Sequence, residues 1–470
     1  MNHKLWISGN CAHARATKPW LLFFFGAVKM ANWHCFKALN RFFLFDVLSN
    51  SLFQIEQPVY DYLKGFPVDP EVIADVQADL DHLRAQGMLA GEAEAEPELD
   101  REPLLKALCL HISHDCNLRC KYCFAGTGPF GGGREHMSFE VGKAAIDRLL
   151  RESGARRQLE VDFFGGEPLL NLEVVKQLVA YGREAGQRFD KEIHFTLTTN
   201  GIALDEAARD FLNREQIAMV LSLDGRPAVN DRMRGIGSYY RALTNFQALI
   251  RGRGYKDYYL RGTFTAKNLD FSRDAAHLYD LGFTEISLEP VVDRKGAYRL
   301  TGANLPEICA EYERLAEYYL EKRAQKAGFT FFHFEINLEH GPCLPKRLTG
   351  CGAGFDYFAV TPSGEFYPCH QFVGRKDFIM GNVAEGITRT DLRREFGAAT
   401  LYKKQGCSSC WSRFYCSGGC HANAHLMNGS IYQPDSLGCE LQKKRLELAL
   451  ALKGIEMQEE AAYQSKQENY

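Results

Sequence analysis

The sequence predicts an α/β protein built on a partial, TIM-like (β/α)6 barrel, with a small module ahead of it and a cysteine-rich segment behind it. Three observations carry that prediction. Between residues 105 and 300, short strand-like runs alternate with stretches of helical periodicity, as repeated β/α units with parallel strands require. Before this stretch, three short apolar segments within 33–55 precede two helical patterns. After Gly341, periodicity gives way to glycines and closely spaced cysteines. Such a stretch needs something besides an apolar core to hold it, and metal clusters would serve.

The elements follow in order. Residues 1–32 form an N-terminal extension, and its apolar run Trp20 to Val28 follows Lys18. A bilayer span needs ~20 residues, so this run is too short. No small-residue cleavage site follows it, and a start at Met30 is expected in preference to a targeting segment. In the next module, residues 33–100, the segments 33–36, 41–47 and 52–55, with Ser49-Asn50-Ser51 as a turn, read as a small β-hairpin region. Helices are expected near 56–64 and 70–87, the second carrying Val72, Ile73, Val76, Leu80 and Leu83 at helical spacing. The acidic, proline-containing stretch 91–102 reads as a linker.

In the barrel region, residues 101–330, strands are expected at 107–113, 159–164, 193–199, 217–223, 258–265 and 285–292. Helices fill the gaps, for example at 139–152, 171–187, 239–252 and 270–281, and a long helix is expected at 304–326. In such folds chemistry sits on loops beyond the C-terminal ends of the strands. Residues 331–454 are the cysteine-rich segment, and 455–470 a polar tail, read as a frayed helix or a disordered end.

Of the 470 residues 46% are hydrophobic and 24% charged, a globular composition, and the net charge of −3 offers nothing to a nucleic acid. No membrane partner is expected either. Most of the 15 cysteines fall in two groups, 116–123 and 343–439. Clustered thiols in a long chain read as metal or iron–sulfur ligands, which places the protein in the reducing cytoplasm. Cys11, Cys35, Cys109 and Cys309 fit no motif and read as small buried apolar residues.

Cys116, Cys120 and Cys123 have the spacing C-x3-C-x2-C just after the first barrel strand. Three thiolates can hold three irons of a [4Fe–4S] cluster and leave the fourth iron open. The alternative is a structural zinc site, for which His114 would have to supply the fourth ligand. The spacing, with Tyr122 before the third cysteine, resembles the radical S-adenosylmethionine (SAM) superfamily. That resemblance implies that the open iron chelates the methionine end of SAM. Reductive cleavage then yields a 5′-deoxyadenosyl radical that abstracts hydrogen from substrate. Gly165, Gly166, Glu167 and Pro168 match the family's GGEP motif, which meets the methionine amino group. By the same resemblance Ser222 is a ribose or carboxylate contact. Arg261 is either a partner of the cofactor carboxylate, which suits a guanidinium, or an ordinary strand residue.

Cys351, Cys369, Cys407, Cys410, Cys416, Cys420 and Cys439 form a long ordered pattern that resembles the SPASM domain of radical enzymes acting on peptides. A zinc ribbon would leave most of these thiols unused. The resemblance implies two auxiliary [4Fe–4S] clusters, three clusters in all. Cys351, Cys369 and Cys420 would serve the first; Cys407, Cys410, Cys416 and Cys439 the second. Cys343 would complete the first or stand apart, leaving an iron open for a substrate thiolate.

Several stretches resemble the maturases of six-cysteine (SCIFF) peptides: Cys116 to Gly128, Leu159 to Phe164, Arg261 to Thr265, Gly341-Pro342-Cys343 and Tyr367 to Phe372. That resemblance implies thioether formation between a cysteine sulfur and a carbon of a ribosomally made, cysteine-rich precursor peptide. It also implies an electron donor such as flavodoxin or ferredoxin. Residues 33–100 resemble the winged-helix-like module that grips leader peptides by strand addition, with a plain structural cap as the alternative. An anaerobic sulfatase maturase, which makes formylglycine, shares the barrel and both auxiliary clusters, but has an aspartate base where this chain has His370. A non-catalytic iron–sulfur electron carrier is the third reading, and an open three-cysteine site beside GGEP argues against it.

Overall fold

The computed structural model describes residues 32–89, 96–97, 101–339 and 343–467. Cys11, the apolar run at 20–28, Gly341, Pro342 and most of the 91–102 linker lie outside them.

Three strands, β1 (Trp33–Ala38), β2 (Arg41–Asp46) and β3 (Leu52–Ile55), form an antiparallel meander in the order β1-β2-β3, one strand more than a hairpin. Alternation sends side chains to both faces. Cys35, Leu44, Phe53 and Ile55 pack with Val59 and Leu63 of α1 (Gln57–Lys64) and with Val76, Leu80 and Leu83 of α2 (Pro70–Ala85). Phe36, Phe43 and Phe45 face the other way and join the main core of the molecule. Pro58 and Pro70 sit in the first turns of the two helices, where a missing N–H costs nothing. Gly65, at φ +78°, ends α1 in the left-handed conformation.

Six β/α units follow. Their strands are β4 (Ala107–Ser113), β5 (Gln158–Gly165), β6 (Glu192–Thr199), β7 (Ala218–Ser222), β8 (Tyr258–Phe264) and β9 (Glu285–Pro290). All pair in parallel with their sequence neighbours. The helices are α3 (Phe139–Glu152), α4 (Leu172–Arg188), α5 (Glu206–Arg214), α6 (Pro227–Arg234), α7 (Ser238–Gly252), α8 (Phe271–Asp280) and α9 (Leu305–Ala324). Ser138 and Asp205 cap α3 and α5 by accepting the N–H of Val141 and Ala208. The short β10 (Thr330–Phe331) pairs with β9 at one edge.

The cysteine-rich segment is not a separate layer. After α10 (Leu344–Thr349), strand β11 (Tyr357–Val360) pairs in parallel with β4, Tyr357 to Val360 opposite Ala107 to Leu110. Strands β12 (Glu365–Tyr367), β13 (Gly381–Asn382) and β14 (Gly386–Ile387) continue the sheet antiparallel. The result is one mixed sheet of 11 strands in the order β10-β9-β8-β7-β6-β5-β4-β11-β12-β13-β14. Three short helices then follow, α11 (Thr390–Ala398), α12 (Arg413–Cys416) and α13 (His421–Asn428).

The last helix, α14, runs 32 residues from Ser436 to Gln467, across the boundary expected at 454. Leu441, Leu446, Leu450, Leu452 and Ile455 are buried, and the helix continues past them to Gln467. The N-terminal sheet seats on it. His34 stacks on Trp411, ring centroids 3.7 Å apart, and bonds Glu447 at 2.8 Å. Gly454 lies beside Phe43. No helix among the described residues is long and apolar enough to cross a membrane.

Candidate active site

The loops beyond the C-terminal ends of β4–β9, with the loop after β12, line a cavity of about 220 Å³. The first loop carries Cys116, Cys120 and Cys123, and all three face the cavity. Burial pushes Cys116 up to about 11 and Cys120 up to about 12. Such thiols become thiolates only beside a strong cation, which is what bound iron supplies. His114, the fourth ligand a zinc site would need, turns instead to His111, Nε2 to Nδ1 at 3.0 Å. The donor set in the cavity is therefore three cysteines, and it fits a cluster with one open iron.

Two networks aim this loop. In the first, Asp224, buried beyond β7, accepts Tyr122 Oη–H at 2.7 Å, Arg234 Nη2 at 2.8 Å and the Thr263 N–H at 3.0 Å. Burial works against the charge of Arg234, but Asp224, Tyr122 and Cys120 outweigh it and hold the guanidinium firmly charged beside Cys120. The second runs through Gly165-Gly166-Glu167-Pro168. Here β5 crosses the backbone of the cysteine loop so closely that a Cβ on Gly165 would overlap the Ser113 carbonyl, and one on Gly166 the Asp115 carbonyl. The Gly166 N–H donates to Ser113 O at 2.7 Å and the Glu167 N–H to Asp115 O at 2.8 Å. Glu167 also lines the cavity. It accepts Thr199 Oγ1–H at 2.8 Å, the Asn200 N–H at 2.8 Å and the Leu169 N–H at 3.1 Å, tying β5 to β6. Burial nonetheless pushes its carboxyl up to about 7.

Ser222 and Arg261 are register partners on β7 and β8, and both line the cavity. Across from the cysteines, at the end of β9, stands Glu289, which no sequence motif marks. Its Oε1 accepts Ser287 Oγ–H at 2.9 Å and lies 3.0 Å from His333 Nε2, while Oε2 lies 3.9 Å from Arg445 of α14. Burial would raise its carboxyl, but His333, Arg445 and Arg261 outweigh burial and hold it well below the usual range. His370, beyond β12, packs against Phe164 and Phe124, centroids 4.9 and 5.6 Å away. Burial, then Arg261, pull it down to about 4, so its imidazole is neutral. Arg234 and Glu289 were missed in the sequence because each is a single residue brought to the cavity by the sheet; only their places after β7 and at the end of β9 could have flagged them.

The remaining cysteines gather as two further sets. Cys369 senses the thiols of Cys420 and Cys351, and the Gly354 N–H donates to Pro368 O at 3.0 Å, binding the two loops together. Cys407, Cys410, Cys416 and Cys439 sense one another. All-sulfur donors of this kind would suit iron–sulfur clusters. Cys343 stands exposed at the N-cap position of α10. Cys35 and Cys109 are buried, as apolar cysteines should be, whereas Cys309 is half-buried.

Residues 110–264 match the model of the Radical SAM superfamily, and residues 351–411 that of the SPASM iron–sulfur cluster-binding domain. The chain therefore carries a Radical SAM domain and a SPASM domain, and SAM and iron–sulfur binding go with those domains. It is 21% identical to the radical SAM cyclopropyl synthase TigE of Paramaledivibacter caminithermalis over 72% of either chain. It is 26% identical to a cysteine-type anaerobic sulfatase-maturating enzyme of Clostridium perfringens, over 68% of this chain and 89% of that one. The solved structure of native anSMEcpe with bound AdoMet and the Cp18Cys peptide superposes with a TM-score of 0.62 at 22% identity, covering 75% of this chain and 99% of that chain. At that identity the likeness shows the fold.

Proposed function

We propose that this protein closes thioether crosslinks in a ribosomally made, cysteine-rich peptide. Residues 33–100 hold the leader, and a flavodoxin or ferredoxin supplies electrons. The observation that carries the choice is His370. Formylglycine formation uses an aspartate directly after the cysteine corresponding to Cys369; here that position is an imidazole wedged between Phe124 and Phe164. A peptide substrate is in keeping with the SCIFF-like stretches and with the Cp18Cys peptide held by the similar solved structure.

Three clusters follow from the cysteine sets: Cys116, Cys120 and Cys123 in the cavity, and the two sets around Cys351 and Cys407. Bound SAM and its cluster would supply the hydrogen-abstracting chemistry. The chain's own residues do the rest. Asp224 and Arg234 hold the cysteine loop, Gly165 and Gly166 let β5 cross the backbone of that loop, and Ser222 and Arg261 face the cofactor's polar end. Glu289, ionised on the far wall, is placed to accept an N–H of the peptide.

The test uses synthetic peptides translated from short cysteine-rich reading frames beside the gene, incubated anaerobically with reconstituted enzyme, SAM and reductant. A thioether product is lighter by two hydrogens per crosslink, survives reduction and resists alkylation at that sulfur, which a disulfide does not. A product that has lost sulfur and reacts as an aldehyde would establish formylglycine chemistry instead.

A further inference from the structure

One buried charge has no part in the chemistry above. Lys404, in the loop after α11, is 2% exposed. Its Nζ donates to the Gly418 carbonyl at 2.9 Å. That carbonyl is the midpoint of Cys416-Ser417-Gly418-Gly419-Cys420, so it lies two residues from a cysteine of each auxiliary set. Gly418, at φ +78°, leaves the space the lysine fills: a Cβ there would come 2.8 Å from Lys404 Cδ. On its other side the Cys407 N–H donates to Lys404 O at 3.2 Å. Burial lowers the proton affinity of Lys404, and the thiols of Cys407 and Cys416 in one set and of Cys420 and Cys351 in the other oppose it. No carboxylate pairs with it among the described residues. An ammonium has three donors, and Gly418 takes one. Leaving a buried ammonium without an anion is costly, and sulfur-rich anionic clusters on both sides are what would offset that cost.

We propose that Lys404 is a cation shared by the two auxiliary clusters and that its charge raises both reduction potentials. The proposal rests on the assignment of the seven cysteines to two clusters. Reduction adds a negative charge to a cluster, and a nearby cation favours the more negative form by Coulomb attraction. Charge and burial are among the levers by which a protein sets such potentials, and Lys404 supplies both. Because one group serves both clusters, its removal should move both together. Lys404 is a positioning residue: it touches neither the cavity nor the substrate.

The experiment uses the full chain carrying Cys116→Ala, Cys120→Ala and Cys123→Ala, so that only the auxiliary sites remain, reconstituted to about eight irons. Potentials are read by anaerobic redox titration followed by electron paramagnetic resonance. Lys404→Met and Lys404→Gln should lower both potentials at least tenfold in equilibrium constant, about 59 mV for one electron. Lys404→Arg, which keeps the charge, should hold both near the parent values. Potentials unmoved in Lys404→Met and Lys404→Gln, or only one moved, would overturn the proposal. So would loss of iron in Lys404→Arg to the same extent as in Lys404→Met, because packing and not charge would then be its role. A parent holding a single auxiliary cluster would sink the ligand assignment first, and the shared cation with it.

Discussion

Asp162 carries a cost that the packing around the site imposes on a single side chain. On β5 it lies opposite Cys109 of β4 in the register, and Tyr357 of β11 bonds the Cys109 thiol. Burial, then the charge of Glu160, push Asp162 up from 3.8 to about 6. The folded state therefore holds the proton more tightly than the unfolded chain does. The stability this group contributes is full below 3.8 and is lost as pH rises through about 6. Asp162→Asn should then stabilise the protein by about 1–3 kcal/mol at neutral pH, because each tenfold change in proton affinity is worth about 1.4 kcal/mol. The gain should vanish below about pH 4, where both forms are neutral. Denaturation of the two proteins at each pH checks this; an equal gain at both would mean that charge is not the cause.

The crossing of β5 over the cysteine loop places a demand on a whole element. Gly166 is required there by closeness, since its Cβ would collide with backbone atoms that cannot swing aside as a side-chain tip can. Gly166→Ala should therefore displace the Asp115–Cys116 backbone at a cost of about 1–3 kcal/mol, as overpacking does. Reconstituted Gly166→Ala should lose about four irons, one cluster, and SAM cleavage should fall at least tenfold. Parent-like iron content and cleavage in the variant would show that the crossing does not position the loop. Helix α14 makes the opposite point about elements. One helix carries Cys439, presents Arg445 to Glu289 in the cavity wall and gives its far end to the N-terminal sheet.

For the molecule as a whole, that helix makes the N-terminal module part of the core and not an appendage. Asn32 bonds Arg413 at 2.9 Å and Asn50 accepts Tyr415 Oη–H at 2.8 Å, both beside the auxiliary cysteines. Deleting residues 33–89 should uncover the apolar side of α14 that Phe36, Phe43 and Phe45 now cover. Thermal stability should fall by several degrees, each kcal/mol being worth about 2–4 °C in a protein this large. If the module also holds the leader, peptide affinity measured with the flanking-frame peptide should drop at least tenfold in the same truncation. Unchanged affinity with lowered stability would make it a structural cap.

The sequence by itself determined the domain types and the repeating units. The C-x3-C-x2-C spacing and GGEP are local, and the long cysteine pattern behind the barrel region is ordered, so the Radical SAM and SPASM domains were legible without a fold. The strands expected at 107–113 and 285–292 fell where β4 and β9 lie, because a buried strand and an amphipathic helix each leave a period in the chain. Only the tertiary structure decided the rest. The stretch after Gly341 showed no period, yet β11 extends the main sheet beside β4, because a four-residue strand buried by its neighbours has too few positions to show an alternation. Helix α14 escaped notice for a related reason: it is buried on more than one side, by the N-terminal sheet and by α9 near Glu289, so its apolar residues do not fall into one stripe. Arg234, Glu289 and Lys404 carry no motif at all. Each acquires its role from charges that lie far away along the chain and a few ångströms away in space, and that distance is set only when the sheet, the loops and the last helix close around them.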